Sequence, residues 1–236
     1  MPPSSPASPD GAHRRKLYGR RKGPKLSAHQ ESLRATLLPE LALALRDGAD
    51  PRTYFDARVE DVWLEIGFGA GEHLIWQAEQ HPQIGMIGAE PYISGIAKLL
   101  SKIAPTRTPN IRIHEGDARD VIEALPDASL GRVFILFPDP WPKTRHHKRR
   151  FVQSETLDAL ARVVRPGGEL RFASDDPGYF SWALERLCAH PQFTWSATGP
   201  RDWNIRAADW PQTRYETKAL HGPPRYLRFV RRGQTG

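Results

Sequence analysis

The amino-acid sequence predicts an α/β fold in which helices cover both faces of a mostly parallel, seven-stranded sheet. Short apolar runs rich in β-branched and aromatic residues alternate with stretches of helical spacing, which is typical of strand–helix–strand units. The first of these runs ends in a glycine-rich turn that leads into a helix, as in Rossmann-like domains. The last two runs, at 193–195 and 226–230, are expected to close the sheet as an antiparallel edge hairpin.

Length and composition favour one domain that binds a polyanion. The 236 residues, 39% of them hydrophobic, suffice for a single large core. No apolar run is long enough to cross a bilayer and the first residues lack the apolar centre of a signal peptide, so we expect a cytoplasmic protein without a membrane partner. Cys188 is the only cysteine, which excludes an intramolecular disulfide and a cysteine-based zinc site, and we expect no metal. The net charge of +7 favours a polyanionic partner.

Residues 1–25 are predicted to form a flexible basic arm ahead of a single domain at 26–236. The start of the arm is rich in proline and serine and cannot bury enough apolar surface to order itself. The stretch 13–25 has seven lysines and arginines, no acid, and Tyr18 among them, a composition that suits a phosphate backbone and an unstacked base. A solubilising or targeting arm is the alternative. An amphipathic helix at about 27–46 is then expected to cover the domain.

A predicted strand at 62–66 ends in a glycine turn that can hold a nucleoside or phosphate group. Gly67, Gly69 and Gly71 follow the strand with GxGxG spacing, and a helix starts at Glu72. Glycine lets the backbone approach a ligand without a Cβ atom in the way. The GxGxxG spacing of dinucleotide-binding proteins is absent, which argues against a nicotinamide-dependent dehydrogenase.

Acidic residues follow the next two predicted strands. A strand at 84–89 ends at Glu90, about twenty residues after the glycine turn, where an acid can accept ribose hydroxyls. A helix at 92–104 and a strand at 111–114 follow, and Asp117 after that strand can accept the exocyclic amine of an adenine. Each acid alone is explained more simply as a strand-end or helix-cap carboxylate. Their recurrence at successive strand ends beside the glycine turn favours a nucleoside site.

The fourth predicted strand, 133–137, leads into the most distinctive stretch of the chain. Three prolines alternate with Asp139, Trp141 and Lys143, and the fixed φ of proline makes this loop stiff and extended. The residues of 145–150 are all arginine, lysine or histidine. A carboxylate and an indole on a rigid loop beside these cations indicate a site for an aromatic, anionic ligand. The alternative is a proline-rich turn followed by the start of a solvated basic helix.

The last third of the chain contributes another acidic strand end and a long connection. A helix at 152–164 stops at an RPGG turn, and a fifth strand at 169–173 runs to Asp175 and Asp176. The segment 196–224 lies between the last two strands and contains the sequence TRYETK. A segment this long inside a compact domain is usually functional, so we expect it to face the nucleic acid; a partly ordered insertion is the alternative.

Six motifs occur in the order and approximate spacing of one protein family. They are LEIGFGAGE, GAEPY, GDARD, FPDPWPKTRHHKRR, RPGGELRFASD and TRYETK. From about Tyr18 to its end, the chain resembles the bacterial-type tRNA (guanine-N7)-methyltransferases. The resemblance implies a class I methyltransferase fold, S-adenosyl-L-methionine as cofactor with S-adenosyl-L-homocysteine as product, and methyl transfer to guanine N7 of tRNA at position 46 in the variable loop. It implies tRNA as partner and no obligate protein partner, and it leaves open a monomer or a homodimer.

The resemblance also implies roles for individual residues, with Asp139 similar to the catalytic position. The cofactor-binding set is Glu65, Gly67, Gly69, Gly71, Glu90, Asp117, Ala118 and Asp139. The substrate-binding set is Lys143, Asp175, Thr213, Arg214, Tyr215 and Glu216. Asp176 directly follows Asp175, so which of the two acids faces substrate is open. The candidate contacts to the tRNA backbone are Arg20, Arg21, Lys22, Arg145, Lys148, Arg149 and Arg150.

The chemistry of guanine N7 decides what Asp139 is needed for. N7 keeps an unprotonated lone pair at neutral pH, so its attack on a sulfonium methyl group needs no obligatory general base. We therefore expect Asp139 to position guanine through its N1–H and amino edge, or to offset positive charge on the product, with proton abstraction as the secondary interpretation. Trp141 either braces the base or packs beneath the loop. Methyl transfer to another RNA or to a small molecule, and RNA binding without catalysis, are the alternative functions.

Overall fold

The computed structural model describes residues 18–19, 23–55 and 59–233. The strands are β1 (Asp61–Ile66), β2 (Ile84–Ala89), β3 (Ile111–His114), β4 (Leu130–Leu136), β5 (Val164–Ser174), β6 (Phe193–Trp195) and β7 (Arg225–Arg231). The helices are α1 (Ala28–Thr36), α2 (Leu38–Leu41), α3 (Glu72–Gln80), α4 (Ile93–Thr106), α5 (Ala118–Ala124), α6 (Ser154–Val163), α7 (Pro177–Ala189), α8 (Arg201–Asn204) and α9 (Arg214–Lys218). Short 3-10 helices span Pro51–Tyr54 and Thr144–Arg149. Most of the predicted basic arm, including Arg20, Arg21 and Lys22, lies outside the described residues.

The strands form one sheet in the order β3-β2-β1-β4-β5-β7-β6. Strands β1 to β5 pair in parallel, and β7 runs antiparallel to both β5 and β6. The predicted seven-stranded, mostly parallel sheet is confirmed, but the strand that opposes the others lies inside the sheet and not at its edge. β7 pairs along both sides, whereas the short β6 pairs only with β7 and so leaves little unpaired backbone at the edge.

The chain leaves β1 toward β2 and β3 on one side and later returns to β4 and β5 on the other. This reversal opens a crevice at the carboxyl ends of the strands next to β1, which is the usual ligand site of doubly wound sheets.

Both faces of the sheet are buried, as expected for parallel strands covered by helices. Leu64 and Val133 pack on one face against α5, α6 and α7. Trp63 and Phe134 pack on the other face against α3 and α4. Side chains alternate between faces along a strand, so Glu65 points to the same face as Trp63 although it carries a charge. This exception to the apolar run of β1 belongs to the functional site.

Two predicted elements have different bounds in the structure. The expected helix at 27–46 is divided into α1 and α2, because Pro39 sits in the first turn of α2 and cannot continue the helix before it. The chain then turns extended, and Leu43 N donates to Ile113 O at 2.8 Å. The fifth strand starts at Val164, ahead of the RPGG turn, because Val164 pairs with Leu130 across a bulge. Among the described helices, none combines the length and the apolar character that crossing a membrane requires.

Candidate active site

A cavity of about 1000 Å³ opens where the carboxyl ends of β1, β2 and β4 meet. Its wall includes most of the predicted cofactor set together with residues of the segment 196–224. The cofactor-set residues on the wall are Glu65, Gly67, Gly69, Glu90, Asp117, Ala118 and Asp139. Gly71 is the member of the set that does not line the cavity. The volume suits a ligand of the size of a nucleoside derivative.

The glycine turn needs glycine for two separate reasons. Gly67, Gly69 and Gly71 have left-handed backbone, with φ of 71°, 55° and 69°, which residues with a Cβ atom rarely adopt. A Cβ atom on Gly67 would meet no heavy atom within 4 Å, so backbone is presented to open space. A Cβ atom on Gly71 would lie 2.5 Å from Cδ1 of Leu99, so this glycine lets α3 pack closely on α4.

Glu90 holds the glycine turn in place while it faces the cavity. Its Oε2 accepts from Gly69 N at 2.7 Å and its Oε1 accepts from Tyr92 N at 2.9 Å. Burial raises the pKa of the Glu90 carboxyl, and these two backbone donors act against that rise. Each carboxylate oxygen has a second lone pair, so Glu90 can still accept hydrogen bonds from ligand hydroxyls.

Asp117 is both a helix cap and an ion-pair partner. It is the N-cap of α5, where its Oδ1 accepts from Arg119 N at 3.0 Å. The Arg119 guanidinium Nε lies 3.0 Å from Oδ1 and 2.9 Å from Oδ2 of the same carboxylate. Asp117 can accept from an adenine amine only through lone pairs that Arg119 leaves free. Ala118, the first residue of α5, forms the adjoining wall of the cavity.

Glu65 is buried at the floor of the cavity and is held from behind by α3. Its Oε2 lies 2.7 Å from Nδ1 of His73, and His73 Nε2 lies 3.1 Å from Nε2 of Gln77. The Gln77 amide also donates to Asp209 O at 2.8 Å. Because the Gln77 amide nitrogen can only donate, His73 Nε2 must be the acceptor. The ring proton is therefore on Nδ1, which donates a hydrogen bond to Glu65. Sequence reasoning missed both His73 and Gln77, since neither belongs to a motif with a recognisable spacing.

The proline loop after β4 is strained at both ends and braced from below. Phe137 and Trp141 have φ of 49° and 46°, a left-handed conformation that is unfavourable for large side chains and that clusters at functional sites. Arg150 is only 4% exposed, and its Nε donates to Pro140 O at 2.9 Å. This placement corrects the prediction that Arg150 contacts the tRNA backbone, because its guanidinium is used to hold the loop. Asp139 is exposed at the tip of the loop.

Aromatic rings and a guanidinium form the mouth of the cavity beside this loop. The guanidinium carbon of Arg149 lies 4.8 Å from the ring centroid of Trp141 and 5.0 Å from that of Tyr18. The Tyr18 and Trp141 rings meet edge to face with centroids 6.4 Å apart. Arg149 is therefore half-buried between aromatic rings. The cations that stay exposed on the loop and the following 3-10 helix are Lys143, Arg145 and Lys148.

The TRYE sequence places its residues in two directions. Thr213 and Tyr215 line the cavity, and a Cβ atom on Gly69 would lie 3.2 Å from Cε2 of Tyr215. Burial raises the pKa of the Tyr215 hydroxyl, which remains protonated and able to donate. Arg214 is exposed, and its backbone N donates to Glu72 Oε2 at 2.7 Å.

Glu216 points away from the cavity and into the protein. Its Oε1 accepts from Arg206 Nε at 2.9 Å and from the Tyr226 hydroxyl at 2.8 Å. The side chain is buried and does not line the cavity. Glu216 therefore fastens the segment 196–224 to β7, and we expect it to act on a substrate only through that segment.

The two neighbouring acids after β5 have different partners. Asp176 is the N-cap of α7, where its Oδ1 accepts from Tyr179 N at 2.6 Å. Asp175 Oδ2 accepts from His221 N at 3.2 Å at the end of the segment 196–224. Asp175 does not line the cavity. Capping therefore engages Asp176, and contacts with His221 engage Asp175, whose side chain is 15% exposed.

Asp209 fixes the same segment to the centre of the sheet. Arg171 donates from Nη1 to Oδ1 at 2.8 Å and from Nη2 to Oδ2 at 2.7 Å, a bidentate pair. The Arg171 guanidinium holds the pKa of Asp209 below its usual value. Arg171 Nε also donates to Glu169 Oε2 at 2.9 Å. The sequence left a partly ordered insertion open as the alternative for this segment, and the ion pair ties Asp209 to β5.

The fold and this site together define a class of protein. A sheet whose order reverses beside β1, a glycine turn after β1 and a carboxylate at the end of β2 give this chain the crevice of a Rossmann-like domain. The solved structure of the 16S rRNA methyltransferase KamB has the same fold, with a TM-score of 0.55, 18% identity, and coverage of 80% of this chain and 96% of that one. The chain thus has the class I methyltransferase fold.

Sequence comparison identifies the family. Residues 59–224 match a family model described as "Putative methyltransferase". The tRNA (guanine-N(7)-)-methyltransferase of Rhodospirillum rubrum is 51% identical over 92% of this chain and 88% of its own length. The protein of the same name from Ruegeria sp. (strain TM1040) is 48% identical over 94% of this chain and 89% of its own length. The chain belongs to the tRNA (guanine-N(7)-)-methyltransferase family.

Proposed function

We propose that this protein transfers a methyl group from S-adenosyl-L-methionine to N7 of guanine in tRNA, at position 46 of the variable loop. Family membership supports the reaction class. The observation that carries the proposal is the position of Asp139. An exposed carboxylate stands at the tip of a strained, braced loop, on the rim of a nucleoside-sized cavity that Thr213 and Tyr215 also line.

The residues of the cavity suit this cofactor. Backbone at Gly67 faces open space, where a Cβ atom would meet nothing, and this leaves room for a ligand against the turn. Glu90 would accept ribose hydroxyls, and Asp117 with Ala118 would hold the adenine end. The buried carboxylate of Glu65 suits the positively charged part of the molecule. When bound, the cofactor supplies a methyl group on a positively charged sulfur.

Asp139 would act by position and charge. The lone pair of guanine N7 would form the new bond to the methyl carbon while the bond from that carbon to sulfur breaks and its electron pair returns to sulfur, and no proton leaves N7. The protein therefore needs to align the base and to stabilise the positive charge that appears on it. Asp139 can accept from the N1–H and amino groups of guanine, and its negative charge offsets the charge on the product. Tyr215 and Trp141 stand beside it as aromatic surfaces for the base.

The exposed cations beside the cavity would bind the tRNA backbone. Lys143, Arg145 and Lys148 lie on the loop and the 3-10 helix next to Asp139. Arg214 is exposed on α9, between the cavity-lining residues Thr213 and Tyr215, and two large apolar side chains of the segment 196–224, Ile205 and Leu220, are also exposed. We assign this segment and the basic arm, residues 1–25, to tRNA binding, with the domain at 26–236 as one catalytic unit.

Nucleoside analysis after methylation tests the proposal. Unmodified tRNA transcripts are incubated with the protein and labelled S-adenosyl-L-methionine, digested to nucleosides and separated. We expect label in 7-methylguanosine, and no label in a transcript whose guanine at position 46 is replaced by adenine. Label in another nucleoside would contradict N7 chemistry. Label in ribosomal RNA but not in tRNA would favour the alternative of another RNA substrate.

A further inference from the structure

The buried side of α3 carries two polar residues where an amphipathic helix normally has apolar ones. His73 is 2% exposed and Gln77 is 0% exposed, and their spacing of four residues places them on one face. Burial of such groups is unfavourable unless they are hydrogen-bonded. Leu74 and Ala78 on the same helix show that the site is otherwise apolar. The polar pair therefore needs an explanation beyond packing.

The hydrogen bonds of the pair run in one line from the cavity to the segment 196–224. Glu65 Oε2 on the cavity floor accepts a hydrogen bond from His73 Nδ1 at 2.7 Å, and His73 Nε2 accepts one from Gln77 Nε2 at 3.1 Å. The other proton of the Gln77 amide goes to Asp209 O at 2.8 Å. The His73 ring also packs against Phe134 and Trp210, with centroid distances of 4.5 Å and 5.7 Å.

The residues next to Asp209 are hydrogen-bonded to α9. Trp210 O accepts from Arg206 Nη1 at 2.6 Å, and Arg206 Nε donates to Glu216 in α9 at 2.9 Å. Thr213 and Tyr215, which line the cavity, lie between Trp210 and Glu216 along the chain. A displacement of Asp209 and Trp210 would therefore carry the cavity wall with it. Glu72, the half-buried first residue of α3, holds the same segment at a second point, because its Oε2 accepts from the backbone N of Arg214 at 2.7 Å.

We propose that His73 and Gln77 are positioning residues that couple occupancy of the cofactor cavity at Glu65 to the placement of the segment 196–224. The inference rests on the proposed function, which assigns the cavity to the cofactor and the segment to tRNA. A ligand that orders Glu65 orders His73, Gln77 and the segment through directional hydrogen bonds. Coupling between two sites is reciprocal, so tRNA on the segment must favour the cofactor by the same factor.

Hydrogen exchange of the intact protein, with and without S-adenosyl-L-homocysteine, tests the coupling. In the unaltered protein we expect the ligand to slow exchange of the amides in 209–218 by roughly tenfold, the size of one buried hydrogen bond. Gln77→Met keeps the volume but cannot donate, and it should abolish that response. Gln80→Met is the matched control, because Gln80 is exposed on the same helix, and it should keep the response.

His73→Asn gives a second and independent variant. Asparagine can still donate to Glu65 but cannot reach Gln77, so we expect cofactor affinity to change less than twofold while the response of 209–218 is lost. In steady-state assays, Gln77→Met should raise the KM for tRNA about tenfold more than the KM for the cofactor. General destabilisation would instead change the KM for tRNA and the KM for the cofactor together, and it would alter hydrogen exchange whether or not the ligand is bound.

Two results would overturn the coupling. One is that S-adenosyl-L-homocysteine binds the unaltered protein without slowing hydrogen exchange of the amides in 209–218. The other is a ligand response in Gln77→Met equal to that of Gln80→Met. Failure of the ligand to bind at all, measured first by calorimetry, would overturn the cofactor assignment and the coupling together. Normal binding and coupling without methylation of tRNA would instead contradict the proposed function alone.

Discussion

Replacement of Asp209 by asparagine tests whether one ion pair anchors the segment 196–224. Asparagine keeps the shape of the side chain but removes the charge that Arg171 meets with two hydrogen bonds of 2.8 Å and 2.7 Å. Arg171 is 4% exposed, so water cannot replace the lost partner at the guanidinium. Glu169 still accepts from Arg171 Nε at 2.9 Å, so the cation is not left alone.

The stabilisation that the Asp209–Arg171 pair contributes should lie between that of a buried ion pair and that of a surface ion pair. Removing one partner of a fully buried pair costs about 3–5 kcal/mol, and a surface pair is worth about 0–1 kcal/mol. The Asp209 side chain is 45% exposed, so solvent screening places it well below the first figure. We expect Asp209→Asn to lower the free energy of unfolding by about 2 kcal/mol. With a urea dependence of about 2–3 kcal/mol per molar, the midpoint should fall by roughly 0.7–1 M.

The pH dependence of this loss has a definite sign. Arg171 holds the pKa of Asp209 below its usual value, so the unfolded chain binds the proton more readily than the folded protein. The stabilisation is therefore complete above the unfolded pKa, which is about 3.9, and disappears as the pH falls through the lower folded pKa. The difference between Asp209→Asn and the unaltered protein should be constant from about pH 7 to pH 5 and should shrink below about pH 4.

Urea unfolding followed by tryptophan fluorescence at several pH values measures the loss of unfolding free energy and its dependence on pH. Asp127→Asn is the matched control, because Asp127 pairs with Arg162 at 3.0 Å but is 80% exposed. We expect the control to change the unfolding free energy by less than about 0.5 kcal/mol. A loss in Asp209→Asn no larger than that of the control would refute the reasoning that this pair anchors the segment.

Three further predictions concern the cavity and the arm. Asp139→Ala should lower kcat for tRNA methylation by about 10²–10³-fold and leave urea unfolding unchanged because the residue is exposed; near-normal turnover would remove Asp139 from the mechanism. Glu90→Gln should weaken S-adenosyl-L-homocysteine about tenfold in calorimetry. Burial raises the pKa of Glu90, so as the pH is lowered the affinity of the unaltered protein should begin to fall at a higher pH than it would if Glu90 were exposed. The variant should lack this fall in affinity, and the same pH profile in both proteins would contradict the role of Glu90. Deletion of 13–25 should weaken tRNA binding and reduce its dependence on salt, whereas an unchanged salt slope would show that the arm makes no phosphate contacts.

Local patterns in the sequence were enough to predict the sheet and the position of its ligand crevice. The apolar run before Gly67 and the GxGxG spacing depend on neighbouring residues, and the structure has the strand and the turn where they predict them. The proline loop around Asp139 is likewise a local feature, since proline restricts its own backbone and that of the residue before it. The direction of the last hairpin was also predictable, but not that β7 lies inside the sheet, because strand order depends on contacts distant in sequence.

The hydrogen-bond partners of individual side chains could not be predicted from the motifs to which the residues belong. Arg150 and Glu216 belong to motifs that suggest contact with a substrate, yet one braces Pro140 and the other fastens α9. Motif membership does not determine which way a side chain points once the elements pack.

The sequence by itself determined the class of fold, the glycine turn and the stiff acidic loop, because each follows from the conformational limits of adjacent residues. Only the tertiary structure decided that Gln77 meets Asp209, across 132 residues of chain, and that Arg171 meets the same aspartate. Buried polar groups must find hydrogen-bond partners wherever the fold brings them. That requirement, which no short motif encodes, joins the cavity floor at Glu65 to the segment 196–224.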